Sequence, residues 1–160
     1  MRRAAIVFVG GGIGACLRAV LLSALSSWGR PFPAAVLLAN LLGAFILGIV
    51  YVLADEAGLL RVETRLFLAV GVLGGFTTFS TFGWGADTLL AHGAHMVAGL
   101  LYVATSVVGG IVAVLLGLVA GRALVAALER RGVVVPARPA VRGARADMAA
   151  VEAEDRDEPA

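Results

Sequence analysis

The chain has 160 residues, 60% of them hydrophobic and 15% charged, with a formal charge of +2 at neutral pH. So apolar a chain, with its charges pushed to ends and joints, reads as a membrane protein, and its scattered basic residues argue against nucleic-acid binding. The single cysteine, Cys16, cannot close an internal disulfide, and no Cys/His cluster has zinc-ligand spacing.

Four apolar stretches, residues 4–28, 33–53, 66–91 and 96–128, exceed the length of about 18 residues that a membrane helix needs. The joints between them, 29–32, 54–65 and 92–95, are short. Residues 1–128 therefore read as one four-helix membrane domain. It is too small to enclose a wide pore alone, which points to an oligomer. The expected location is the cell membrane, crossed several times.

Met1-Arg2-Arg3 and the apolar run behind it have the look of a signal peptide. The run continues past Arg18, however, and no small-x-small cleavage site with a soluble domain follows. An uncleaved first helix is expected. It carries Gly10 and Gly14, a small-xxx-small pair that lets another helix come close. Arg18 lies about 20 Å along this helix from Ala4, past the middle of a bilayer. A buried arginine pairs with a partner, snorkels, or lines a watery vestibule that attracts anions.

The second stretch carries Asn40, Gly43, Phe45 and Gly48. Asn40 is the only amide side chain in the sequence. It can make an interhelical hydrogen bond, or present its NH₂ donors to an anion.

The third stretch holds the most informative run, Gly74-Gly75-Phe76-Thr77-Thr78-Phe79-Ser80-Thr81-Phe82. Lipid offers no partner to a loosened backbone or a bare hydroxyl, so such a run must be covered by protein or water. Glycines at 71, 74 and 75 predict a break near the middle of this helix. A break frees backbone carbonyls, which can coordinate a bare cation. Thr77, Thr78, Ser80 and Thr81 can bond back to the preceding turn or donate to an anion. Phe79 and Phe82, three apart, share a helical face. They can be core residues, or can turn their positive ring edges to an anion.

The fourth stretch sets Tyr102 and Ser106 at i, i+4 on one face, with Thr105 beside them. Gly117 and Gly121 form another close-packing pair. His92 and His95 lie in a short joint and read as exposed. From 129 onward the chain mixes Arg, Ala, Pro and Glu, with few large apolar residues to bury. A solvated, disordered tail over 129–160 is expected.

Absences narrow the chemistry. Asp55, Glu56 and Asp87 lie towards helix ends, and no carboxylate sits mid-helix. A proton-coupled exporter normally needs one, so passive permeation of an uncharged or anionic species is expected. The hydroxyls lack a paired base for nucleophilic catalysis, so no enzyme is expected. All thirteen basic residues are arginine. Arg2, Arg3, Arg61, Arg65, Arg122, Arg130 and Arg131 share one side with both termini, against Arg30 on the other. The positive-inside rule places both termini in the cytoplasm.

On these residues the chain resembles the Fluc (CrcB-type) fluoride channels over about residues 5–127. The likeness is carried by Gly10-Gly11-x-x-Gly14-Ala15-x-x-Arg18, by Asn40-x-x-Gly43-x-Phe45-x-x-Gly48, by the run 74–82, and by Tyr102 with Ser106. The run 74–82 is the specific part. The resemblance implies an antiparallel, dual-topology dimer with two narrow pores, which confers fluoride resistance by letting trapped cytoplasmic fluoride leave. It implies Phe79 and Phe82 as pore rings, and Asn40 orienting a polar track of Ser80, Thr81, Tyr102 and Ser106. Arg18 corresponds to the arginine near the vestibule. Backbone carbonyls of Gly74 and Thr77, from both subunits, would hold a central structural sodium ion.

Two departures stand out. Ala35-Val36 replace a Gly-Thr that the family often has before the asparagine, which removes one track hydroxyl. Ala19 stands where an aromatic commonly follows the arginine. The arginine bias also sits awkwardly with dual topology. The family includes paired homologues that insert oppositely, so the partner expected is either a second copy or a homologous chain. Two rival readings remain at this level: a small proton-coupled multidrug exporter, and a structural membrane subunit.

Overall fold

The computed structural model describes residues 1–26, 32–91, 95–133 and 135, and all its regular structure there is helical. Four helical spans are long and apolar enough to cross a membrane: Arg2–Ala24 (α1), Ala34–Glu56 (α2), Val62–Ala91 and Met96–Arg130 (α5). The third span is two pieces, α3 over 62–76 and α4 over Phe79–Ala91. The expected four-helix architecture with a divided third helix is what the chain adopts. In hydrocarbon every backbone group must be satisfied within the chain, so even the glycine-rich α1 stays helical.

The helices pack as two principal pairs, α1 with α3 and α2 with α5, with α4 laid along α5. Glycines make both seams. A Cβ on Gly14 would strike the Val72 carbonyl, and one on Gly75 would strike the Gly11 backbone. On the other seam, a Cβ on Gly117 would strike the Phe45 carbonyl, and Gly121 lies against Val52. Without a hydrophobic drive between helices in lipid, such backbone-close packing is what holds the pairs together. The pairs read from the sequence, Gly10 with Gly14 and Gly117 with Gly121, are all used this way.

Outward faces are apolar. Phe8, Ile13, Leu17 and Val20 on α1 and Leu100, Ile111 and Val119 on α5 are exposed, as lipid-facing residues should be. Two stretches wind more widely than an α-helix, Val52–Glu56 at the end of α2 and Leu66–Leu73 within α3. Such π-type turns shift the faces that follow them and occur often at functional sites. Gly58, at φ 63°, takes the left-handed turn that ends α2.

Acidic residues at this end meet arginines. Arg122 grips Glu56 through two nitrogens at 2.7 and 2.9 Å, and Arg65 meets Asp55 at 3.0 Å. Both pairs are exposed, so solvent screens them and they contribute little to stability. The charged tail falls almost wholly outside the described residues, as do His92 and Arg30. Helix α5 itself runs to Arg130, two residues past the expected end of the membrane domain.

The break lies at Thr77–Thr78, not at the glycines. Gly74 is helical at φ −64°, ψ −35°, whereas Thr77 is extended at φ −76°, ψ 156°. Gly71 and Gly75 serve instead to let α3 lie against the backbone of α1. What opens the helix is the capture of its backbone by other side chains.

Candidate functional site

Four residues, 77 to 80, show how that capture works. The Thr77 amide and its Oγ1 both donate to the Leu73 carbonyl, at 3.0 and 2.9 Å, which closes the last turn of α3. Next, Thr78 N–H turns away from the Gly74 carbonyl and donates to Asn40 Oδ1 at 2.8 Å. Asn40 Nδ2 in turn donates to the Thr78 carbonyl at 3.0 Å. One amide side chain on α2 thus meets both polar groups of one residue, as a neighbouring strand would. Thr78 Oγ1 then accepts from Thr81 N–H at 3.2 Å and caps the start of α4. The same oxygen lies 3.2 Å from Ser80 Oγ and 3.1 Å from Thr81 Oγ1.

A second clamp comes from α1. Arg18 Nη1 donates to the Thr77 carbonyl at 3.0 Å. Of the roles open to this arginine, pairing is the one observed, and its partner is a backbone carbonyl rather than a carboxylate. The two successive carbonyls at the break therefore face different helices, Thr77 towards α1 and Thr78 towards α2.

On the α2–α5 side of the break is a cavity of about 410 Å³. It brings together Asn40, Gly74, Thr77, Phe79, Phe82 and Ser106. Arg18, Ser80, Thr81 and Tyr102 stand outside its walls. Ser80 and Thr81 are tied to Thr78, and Tyr102 packs behind Phe82. Gly43 is part of the wall because a Cβ there would collide with the Thr77 methyl. Among the described residues, no carboxylate lines the cavity.

Rings form a continuous series beside it. The Phe79 and Phe82 centroids are 5.5 Å apart at 48°, and Phe82 and Tyr102 are 5.4 Å apart at 41°. Phe32 meets Tyr102 edge-on at 5.3 Å and 86°. Phe79 is 83% exposed, so the series begins at an open face and runs inward to a fully buried Tyr102. Along this line lie two unspent groups. Among the described residues, Tyr102 OH and Ser106 Oγ are the buried side-chain oxygens with no hydrogen-bond partner. Leaving such a group unpaired costs about 1–3 kcal/mol, so each is a hydroxyl available to a polar partner from outside the chain.

Comparison with known proteins agrees with this architecture. A family model described as "CrcB-like protein, Camphor Resistance (CrcB)" matches residues 5–118. The chain belongs to the CrcB-like family. It is 42% identical over 123 residues to a Prosthecochloris aestuarii protein named "Fluoride-specific ion channel FluC", covering 76% of this chain and 95% of that one. A Rhizobium etli protein of the same name is 43% identical over 126 residues, 78% of this chain and all of the relative. A third relative of that name, from Chlorobium chlorochromatii, is 38% identical over 117 residues, 73% of this chain and 90% of the relative. The CrcB-like match stops short of the charged tail.

Thr78 is named in the sequence reading only as one hydroxyl among four, and its role at the break is what that reading does not assign. Its Thr78-x-x-Thr81 spacing at a helix start is a capping signal, but its pairing with Asn40, 38 residues away, has no local mark. If Asn40 holds the break, Asn40→Leu leaves the Thr78 N–H and carbonyl unpaired. Stability should fall by about 2–4 kcal/mol, and amide exchange over 77–81 should quicken in detergent-solubilised protein. Unchanged exchange there would show that the break stands without Asn40.

Proposed function

We propose that this chain forms a fluoride-selective passive channel that lets cytoplasmic fluoride leave the cell. The observation that carries the reading is the pairing of Phe79 and Phe82 with the unspent Ser106 hydroxyl in a cavity that no described carboxylate lines, in a chain whose relatives are named fluoride channels. The protein is a multi-pass membrane protein, in a bacterium one of the plasma membrane. The exporter reading is not favoured, because the cavity offers no carboxylate to carry a proton.

The mechanism follows from the donors. Ring edges carry partial positive charge and attract an anion more weakly than arginine does. Phe79, at the open face, meets the ion first, and Phe82 carries it inward. Tyr102 and Ser106 supply hydroxyl protons, with Ser80 and Thr81 extending the track from the break. Asn40 orients this track through Thr78 and keeps the second proton of its NH₂ to spend. Arg18 supplies the positive charge nearest the break. Several weak contacts suit conduction, since the ion must also leave. In acid surroundings neutral HF enters and dissociates inside, and such a path releases the trapped anion without energy input.

The carbonyls at the break fit a structural sodium ion. Gly74 has lost the Thr78 amide that a regular helix would give it, and a carbonyl bonded by Arg18 retains a second lone pair at Thr77. Hard oxygen donors of this kind suit a small cation. Gly74 and Thr77, with the same pair from a second subunit, would hold it, and its charge would bind the two breaks together.

A second subunit also answers the exposure of Phe79. The path begins on an open face, so one chain supplies only part of each route. We assign an antiparallel dimer with two pores, built from two copies or from this chain and a homologous partner.

Purified protein in liposomes should pass fluoride down its gradient, with little chloride flux and no need of a proton gradient. Phe79→Ile or Phe82→Ile keeps bulk but removes the ring edge, and should cut flux by about tenfold or more with the oligomer intact. Equal chloride flux in the wild type would reject the channel reading, and full flux in both variants would return the rings to the core. For the cation, exchange of sodium for a bulky organic cation should dissociate the dimer on size exclusion. A dimer indifferent to that exchange has no such ion. For topology, a cysteine at the amino terminus in a Cys16→Ser background should react from both sides of intact cells if the partner is a second copy. Labelling from the cytoplasm alone, with no activity in isolation, would identify a homologous partner.

A further inference from the structure

We infer that Arg18 is a positioning residue, which sets the conduction path by holding the Thr77 carbonyl rather than by drawing the anion itself. The inference rests on the channel reading above and says how one of its residues acts. Its basis is the 3.0 Å bond from Arg18 Nη1 to the Thr77 carbonyl and the half-buried state of the side chain. Arg18 does not line the cavity that contains Phe79, Phe82 and Ser106. The break lies between the two.

The geometry gives this bond leverage. Thr77 is the residue whose extended backbone redirects the chain from α3 to α4. Its peptide carbonyl is held from α1, and the next carbonyl, that of Thr78, is held from α2 by Asn40. With both peptides fixed from opposite sides, the orientation of Thr78 is determined. Thr78 Oγ1 then fixes Thr81 N–H and sits beside the Ser80 and Thr81 hydroxyls. Phe79 is the next residue after Thr78, so the ring at the open end of the path inherits the same orientation. Gly14 and Gly75 bring α1 close enough to α3 for the guanidinium to reach, since a Cβ on either would collide with the opposing backbone.

The charge matters for the strength of the bond more than for the ion. A charged donor on a carbonyl in a low-dielectric setting is stronger than a neutral one. A guanidinium also presents its donors in a fixed plane, which a lysine ammonium, a point charge on a flexible stem, does not. Arg18→Lys therefore keeps the charge and loses the fixed geometry, and Arg18→Gln loses both.

The test separates positioning from attraction. Fluoride flux through wild type, Arg18→Lys and Arg18→Gln is measured in liposomes across fluoride concentration, at low and high ionic strength. Amide exchange over 74–82 is followed in the same proteins by mass spectrometry. Positioning requires that Arg18→Lys lose maximal flux by about tenfold, the worth of one charge-assisted bond, with an unchanged half-saturating concentration at either salt. It also requires faster exchange confined to 77–81, in a protein that still elutes as the assembled oligomer. Near-normal maximal flux in Arg18→Lys, with a salt-sensitive rise in half-saturation for Arg18→Gln, would make Arg18 an attractor and overturn the proposal. So would unaltered exchange at the break. Loss of assembly in both variants would assign Arg18 to folding alone and overturn it equally. If the wild type itself passes no fluoride, the channel reading falls instead, and the exchange data still report whether Arg18 holds Thr77.

Discussion

Everything at the centre of this molecule depends on the two-way pairing of Asn40 with Thr78. A helix interrupted inside a bilayer exposes amides and carbonyls to a medium that cannot bond them, at several kcal/mol for each. Asn40 removes that penalty for one N–H and one C=O together. Asparagine suits this because its side chain ends in an amide, the same group it must satisfy. A hydroxyl can donate and accept as well, but from a single oxygen, whereas the amide offers separate nitrogen and oxygen atoms to the two positions. Once the pairing exists, the extended Thr77 is tolerated, α4 starts afresh at Phe79, and its ring is free to face the open side.

Around that pairing the glycine seams set distances. Gly14 and Gly75 bring α1 against α3 closely enough for Arg18 to reach the break, and Gly43 lets the Thr77 methyl lie on α2. The seams and the polar clamps are therefore one construction. Opening either seam would move a clamp away from its carbonyl. The wide turns of Leu66–Leu73 belong to the same construction, since they settle which face α3 presents where it ends.

The spans were legible because bilayer thickness alone demands their length, and nothing local competes with that signal. The packing roles of Gly10, Gly14, Gly117 and Gly121 were legible for a similar reason: small residues four apart make a groove in any helix. The break near the middle of the third helix, close to Gly74 and Thr77, was legible too, but its cause was not. Glycine signals weakness in a helix, yet Gly74 stays helical because its neighbours make no rival offer to its backbone. Thr77 and Thr78, better helix formers, leave the helix where Arg18 and Asn40 bond them. These partners lie far off in sequence, 59 and 38 residues away, so no window along the third helix contains the cause. The hydroxyls illustrate the same limit. In the sequence the four hydroxyls of 77–81 share the same two options, but in the fold Thr77 closes a turn, Thr78 caps a helix, and Ser80 and Thr81 are tied to Thr78.

A useful division among the polar groups follows. Thr77, Thr78, Arg18 and most of Asn40 are committed to the backbone, so they build the site without being free to serve a guest. Tyr102 OH and Ser106 Oγ are buried and uncommitted, and it is these that a permeating anion would find available. A site made only of committed groups would be a packed core. One made only of free donors would hold an anion too tightly to release it, or would collapse onto itself. Here a rigid polar frame carries a few free hydroxyls and two aromatic edges. On the proposed channel reading, that combination would let a small anion trade its water for several modest contacts, each weak enough to be left behind.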